Sequence, residues 1–184
     1  MDEDQQIIAD CQMGKSDRYR LLVEKYKTRA YYAALMYSGN QDDALDLSQE
    51  AFYRAFKAIK SFELGKNFYT WLYQILRNLC INHYKRIRKR NIVFSDFQTA
   101  RHYVDFFSDI KDPDEIFEET ERRELIWKAL KKLKASEREI ILLKEFNDLS
   151  YREISEVLAI PIGSVMSRLF YARKRLASLL EELQ

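Results

Sequence analysis

Glycine, proline and cysteine are all scarce: the 184-residue chain has four glycines, two prolines and two cysteines. So few turn-formers leave long stretches without a breaker, which excludes a fold of many short strands and predicts an all-α protein. Cys11 and Cys80 lie far apart, with no partner at metal-ligand or redox-motif spacing, and read as ordinary buried thiols of a reducing compartment. Histidine is nearly missing too. His83 and His102 have no nearby Cys, Ser or carboxylate at catalytic spacing, and the chain shows neither a zinc pattern nor a glycine-rich phosphate loop. No covalent chemistry, cofactor, metal or small-molecule substrate is expected. No apolar run approaches the roughly 18–20 residues that span a bilayer. The N-terminus, Met1-Asp2-Glu3-Asp4, is acidic where a signal peptide is basic, so a cytoplasmic protein without membrane insertion is expected.

What is present is charge, unevenly placed. The net charge of +2 does not by itself point to nucleic acid. Yet five of the six residues from Lys85 to Arg90 are basic, Pro161 to Leu180 holds four bases and no acid, and Gln41 to Glu50 holds four acids and no base. Apolar residues recur at helical spacing, as in Leu21, Leu22, Tyr26 and in Phe52, Ala55, Phe56, Ile59, with a break at Gly39-Asn40. After Gly65-Lys66-Asn67 comes an amphipathic run, Phe68, Trp71, Leu72, Ile75, Leu76, Leu79. This predicts a first helical domain over residues 1–92.

Residues 93–116 lose the periodicity and form a predicted linker, acidic but rich enough in Phe and Tyr to be either docked or free. A second helical domain is predicted over 117–184. Leu125, Ile126, Ala129, Leu130 and Leu133 share a face; a capping box at Ser136 and Glu139 opens a helix carrying Ile140, Leu143 and Phe146; and Asn147-Asp148 ends it.

A second capping box, Ser150 with Glu153, opens the run LSYREISEVLAIPIGSVMSRLFYARKRL. Ile154, Val157 and Leu158 face inward, Ile160 plugs a tight turn, and Pro161 suits the first turn of the next helix, where an N–H would have no partner. Val165, Leu169, Ala172 and Leu176 return at spacings of four, three and four. Ser164, Ser167, Arg168, Tyr171 and Arg175 are left outward, on what reads as the recognition helix of a helix-turn-helix. Arginine forks read guanine edges, and hydroxyls take phosphates. The plain alternative is a helical hairpin with a solvated basic face.

This run strongly resembles the C-terminal promoter-binding region of bacterial sigma factors of the extracytoplasmic-function group. Upstream, DLSQEAFYRAFKAIKSF (Asp46 to Phe62) resembles the family's polymerase-binding segment, and FYTWLYQILRNLCINHYKR (Phe68 to Arg86) its promoter-melting segment. The resemblance implies a transcription initiation factor whose N-terminal domain binds and opens the minus-ten element while its C-terminal domain binds the minus-thirty-five element. Its implied partners are core RNA polymerase, promoter DNA and an anti-sigma factor.

Asp46, Gln49 and Glu50, with Tyr53 beside them, would face a basic coiled coil of the polymerase's largest subunit. Read without the resemblance, they are a solvated helix N-terminus, where acids suit the dipole. Asn78 and the loop from Phe62 to Asn67 would receive a flipped base, and Lys85, Arg86, Arg88 and Lys89 would take phosphates. Trp71 suits the core better than a base contact, whereas Tyr69 and Tyr73 are candidate exposed stacking residues. Met166 and Arg173 complete the candidate minus-thirty-five surface. Met166 and Tyr171 stand where many members carry bases, so the promoter sequence does not transfer from any relative. Ala159 stands where many have glycine, at little cost if its φ is negative. Two other readings remain: a dimeric regulator that binds duplex DNA by itself, and a recombinase or nuclease with a borrowed helix-turn-helix.

Overall fold

A computed structural model describes residues 3–89 and 125–183 of the chain, the side chains of residues 87–89 apart. Every regular element among these residues is helical. The chain divides into two compact units, Met1–Phe94 and Ser95–Gln184. The predicted linker and both of its boundaries lie outside the described residues, as do His102 and the start of the helix expected from residue 117.

In the first unit, α1 (Glu3–Gln12) and a 3-10 turn (Ser16–Arg18) lead into α2 (Tyr19–Ser38), α3 (Gln41–Ala58) and α4 (Phe68–Lys89). Gly39, at φ 68°, ends α2 by donating its N–H to the Leu35 carbonyl at 2.8 Å, a left-handed geometry that glycine adopts without strain. Asn40 then caps α3, its Oδ1 accepting the Asp43 N–H at 3.0 Å. Ala30, Ala33 and Ala34 of α2 and Ala44, Ala51 and Ala55 of α3 are fully buried. Such small side chains let the two helices approach closely.

Helix α4 packs on both α2 and α3, so the arc it buries is wider than a single stripe. Phe68, Tyr69, Leu72, Tyr73, Leu76, Leu79 and Cys80 are buried, while Trp71 and Ile75 lie at the edge of the arc. This corrects the expectation for Tyr69 and Tyr73, which are 1% and 0% exposed. Tyr69 stacks on Tyr26 at 5.4 Å beneath the Arg29 guanidinium, and the Tyr73 hydroxyl meets that of Tyr37 at 3.1 Å. Neither ring can stack on a base without unpacking the core. Leu21 is exposed although its neighbour Leu22 is fully buried, and Phe56 lies half-out against Tyr19.

In the second unit, helical residues 125–132 precede α6 (Ala135–Ile141), which widens into a π-turn (Leu142–Phe146) before α7 (Tyr151–Leu158) and α8 (Ile162–Glu181); residues 125–132 are termed α5. Helix α6 starts earlier than predicted. The Glu137 carboxylate, not Glu139, accepts the capping N–H, from Lys134 at 3.1 Å, and Ser136 already lies inside the helix. The π-turn adds a residue to the local period, which swings Phe146 outward to 46% exposure beside Trp127. Asn147 is buried and donates to the Leu142 carbonyl at 3.1 Å, closing the widened turn.

Candidate functional site: two exposed helix faces

The N-terminus of α7 is held as its sequence predicts. Ser150 Oγ accepts the Glu153 N–H at 3.2 Å, and the Glu153 carboxylate accepts the Ser150 N–H at 2.8 Å. Ile154 and Val157 seat α7 on α8, with Leu158 at the margin. The turn is tight because three groups close it: the N–H of Ile160 and that of Ala159 reach back to the Ser155 carbonyl, and Ser155 Oγ donates to the Ile160 carbonyl at 2.6 Å. Ala159 sits at φ 52°, so the condition of a negative φ fails and this alanine is strained. Pro161 stands just before α8 and accepts the Ser164 and Val165 N–H groups. The helices are bent by 99°, within the range of a helix-turn-helix.

Val165, Leu169, Ala172 and Leu179 bury the inner face of α8, and Leu176 is half-buried. The outer face carries Met166, Ser167, Arg168, Tyr171 and Arg175, all exposed, with Ser164 partly covered. Arg168 has no acidic partner among the described residues. Arg173 differs: its guanidinium donates twice to Glu145 Oε1, at 2.9 and 2.6 Å, tying α8 to the π-turn. That carboxylate raises the Arg173 pKa further. Arg175 reaches Glu182 only at 3.9 Å. Sequence reasoning passed over Phe170 and Lys174, which project outward between the named residues; Phe170 is 62% exposed. A large apolar side chain at an outward register position was the available signal.

The first unit presents a pair of exposed faces, one on α3 and one on α4. On α3, Asp46, Gln49 and Tyr53 are exposed and Glu50 is half-exposed, opposite the buried Ala51, Phe52 and Ala55. Glu50 is bonded to Arg54 at 2.7 Å, and Lys57 lies over the Tyr53 ring at 4.4 Å. On α4, Asn78, Lys85 and Arg86 are exposed. Arg88 and Lys89 fall beyond the described side chains. A shallow groove between the two helices sets Asp43, Asp46 and Glu50 against His83 and Arg86. His83 Nε2 lies 3.3 Å from Asp43 Oδ2, so the acidic and basic faces adjoin. Trp71, half-buried, packs on Phe62 at 5.1 Å and Phe68 at 5.9 Å, at the foot of the loop before α4.

Both cysteines are buried and unpaired, and burial pushes the Cys80 thiol up to about 12. Among the described residues no three His, Cys, Asp or Glu side chains converge as for a metal, and no single helix is long and apolar enough to cross a membrane.

Residues 22–90 match the model of Sigma-70 region 2, and residues 123–176 that of Sigma-70, region 4. The chain is 34% identical to the ECF RNA polymerase sigma factor SigW of Bacillus subtilis, over 96% of each chain. It is 30% identical to the RNA polymerase sigma-H factor of Pseudomonas aeruginosa, covering 99% of this chain and 96% of that one. Among solved structures it is similar to the sigma factor RpoE of Bartonella quintana, crystallised with the anti-sigma factor NepR: TM-score 0.68, 30% identity, and coverage of 89% and 96%. Matches to both regions, in chain order and over nearly the full length of these relatives, show that this chain belongs to the sigma-70 family of RNA polymerase sigma factors, in its ECF group.

Proposed function

We propose that the two exposed surfaces divide the work of a promoter-directing initiation factor. As a sigma factor, the chain binds core RNA polymerase, directs it to specific promoters and promotes melting. The residue assignments are our reading. Residues 1–92 bind polymerase through Asp46, Gln49, Glu50 and Tyr53, and take the minus-ten element on Asn78 and the bases from Lys85 to Lys89. Residues 93–116 connect this domain to residues 117–184, which dock on the minus-thirty-five element through Ser164, Met166, Ser167, Arg168, Tyr171 and Arg175. Arg173 joins them only by leaving Glu145.

The observation that carries this reading is the pairing of opposite exposed faces on one unit. An acidic face on α3 suits a basic protein surface, and the basic end of α4 suits phosphates. A regulator acting alone on duplex DNA has no need of the former. The protein itself makes and breaks no covalent bond; polymerase supplies the catalysis, and both work where the DNA is, in the cytoplasm. The Bartonella relative was crystallised with an anti-sigma factor, and an anti-sigma partner is proposed here too.

Footprinting with and without core polymerase tests the reading. Protection of promoter DNA is expected only when core enzyme is present. Equal protection by the protein alone, over a two-fold symmetric site, would instead identify a dimeric duplex-binding regulator.

A further inference from the structure

The loop between α3 and α4 is gripped by a helix that the function above leaves unused. Gln5 of α1 takes hold of two adjacent backbone groups: its Oε1 accepts the Gly65 N–H at 2.6 Å, and its Nε2 donates to the Lys66 carbonyl at 2.7 Å. Two helical turns on, and so on the same face of α1, Gln12 Nε2 donates to the Ile59 carbonyl at 3.0 Å and the Phe62 carbonyl at 2.8 Å. Both ends of the loop are therefore fixed to one rigid strut.

The strut is itself well seated. Ile7, Ile8 and Cys11 are buried, and the buried Asp4 carboxylate accepts from Lys25 at 2.6 Å and from the Tyr26 hydroxyl. Inside the loop, Gly65 at φ +92° supplies a backbone shape that side chains resist, although nothing crowds its Cβ position. Asn67 Oδ1 accepts the Thr70 N–H at 3.0 Å and starts α4. The loop tip, residues 63–67, is exposed, including Leu64 at 50%. The Gln5 bonds are exposed as well. Water could replace exposed bonds with little loss of stability, so their main effect is on shape. A loop already in its bound shape loses less entropy when a ligand arrives.

We propose that α1 is a positioning element for promoter-base recognition: Gln5 and Gln12 hold the loop of residues 62–67 in the shape that receives an unstacked base of the non-template strand. This rests on the reading that this loop, with Asn78, forms the base pocket. Gln5 and Gln12 touch no DNA themselves.

The test uses full-length Q5A, Q12A and the double variant, each assembled with core polymerase. The probe is a promoter found by run-off transcription, remade with each of the four bases at each minus-ten position of the non-template strand. In the double variant, discrimination between best and worst base at one position is expected to fall about three- to tenfold. Core affinity and closed-complex formation should stay at wild-type values throughout, and the melting temperature should stay there in Q5A, whose lost bonds are exposed. Q5E, which keeps the acceptor for Gly65 and loses the donor for Lys66, should fall between. Unchanged discrimination in the double variant overturns the proposal, and so does a loss equal for all bases with a lowered melting temperature, which would make α1 only a prop. N78A separates the two levels: if it lowers discrimination and the glutamine variants do not, only the role of α1 fails. If neither lowers it, the base-pocket reading fails and takes the proposal with it.

Discussion

Arg168 and Arg173 lie five residues apart on α8 and differ in what binding DNA requires of them. Arg168 projects from the helix with no acid to leave among the described residues, whereas Arg173 must first give up two bonds to Glu145. Arg168→Ala is expected to cost about 1–3 kcal/mol of upstream-element binding and to relax preference at one position. Arg173→Ala should cost less, as measured by holoenzyme titration of matched and mismatched upstream duplexes. Equal losses would mean that the Glu145 pair opens freely. At the turn, Ala159 holds φ 52° without being glycine. Ala159→Gly should stabilise the second unit by about 0.5–1 kcal/mol, the relief of left-handed strain less the entropy glycine brings to the unfolded chain. The denaturation midpoint of the full chain reads this directly.

At the scale of elements, α4 shows what periodicity reveals and what it misses. The run Phe68, Leu72, Leu76, Leu79 marked the helix and its inner side correctly, because apolar spacing is a local signal. It does not show that α2 and α3 both cover this helix, and so the spacing leaves Tyr69 and Tyr73 outward although they are buried. Tyr73→Phe should therefore leave promoter opening unchanged, while Asn78→Ala, on the exposed side, should lower open-complex yield with closed-complex binding nearly intact. Permanganate footprinting of unpaired thymines distinguishes the two. The helix-turn-helix was legible nearly to the residue, since the Ser150–Glu153 box, the proline and the inward spacing on α8 are all local. The π-turn at Leu142–Phe146 was not, because nothing in the spacing of Ile140, Leu143 and Phe146 signals an added residue. Nor was the grip of Gln5 and Gln12 on residues 59–66, where polar side chains meet backbone some fifty to sixty positions away.

For the whole molecule, a net charge of +2 describes neither surface, since the chain's 31 bases and 29 acids nearly cancel in the sum while acids gather on α3 and bases at the end of α4 and on α8. Alkaline stability follows from the core of the first unit. Burial, and then the Asp4 carboxylate, push the Tyr26 phenol from 10.0 up to about 12, and burial moves Tyr19 and Tyr69 the same way. A phenol harder to ionise when folded favours folding fully below pH 10 and loses that contribution as pH rises toward 12. Thermal unfolding of the full chain should show a steep fall across this window, less steep in Tyr26→Phe. The central claim, that this chain directs polymerase to promoters, is tested most directly by reconstituted run-off transcription with core enzyme on fragmented genomic DNA. Discrete start sites are predicted that appear only when the protein is added and that share an upstream and a downstream element. Transcripts identical with and without it would contradict the account.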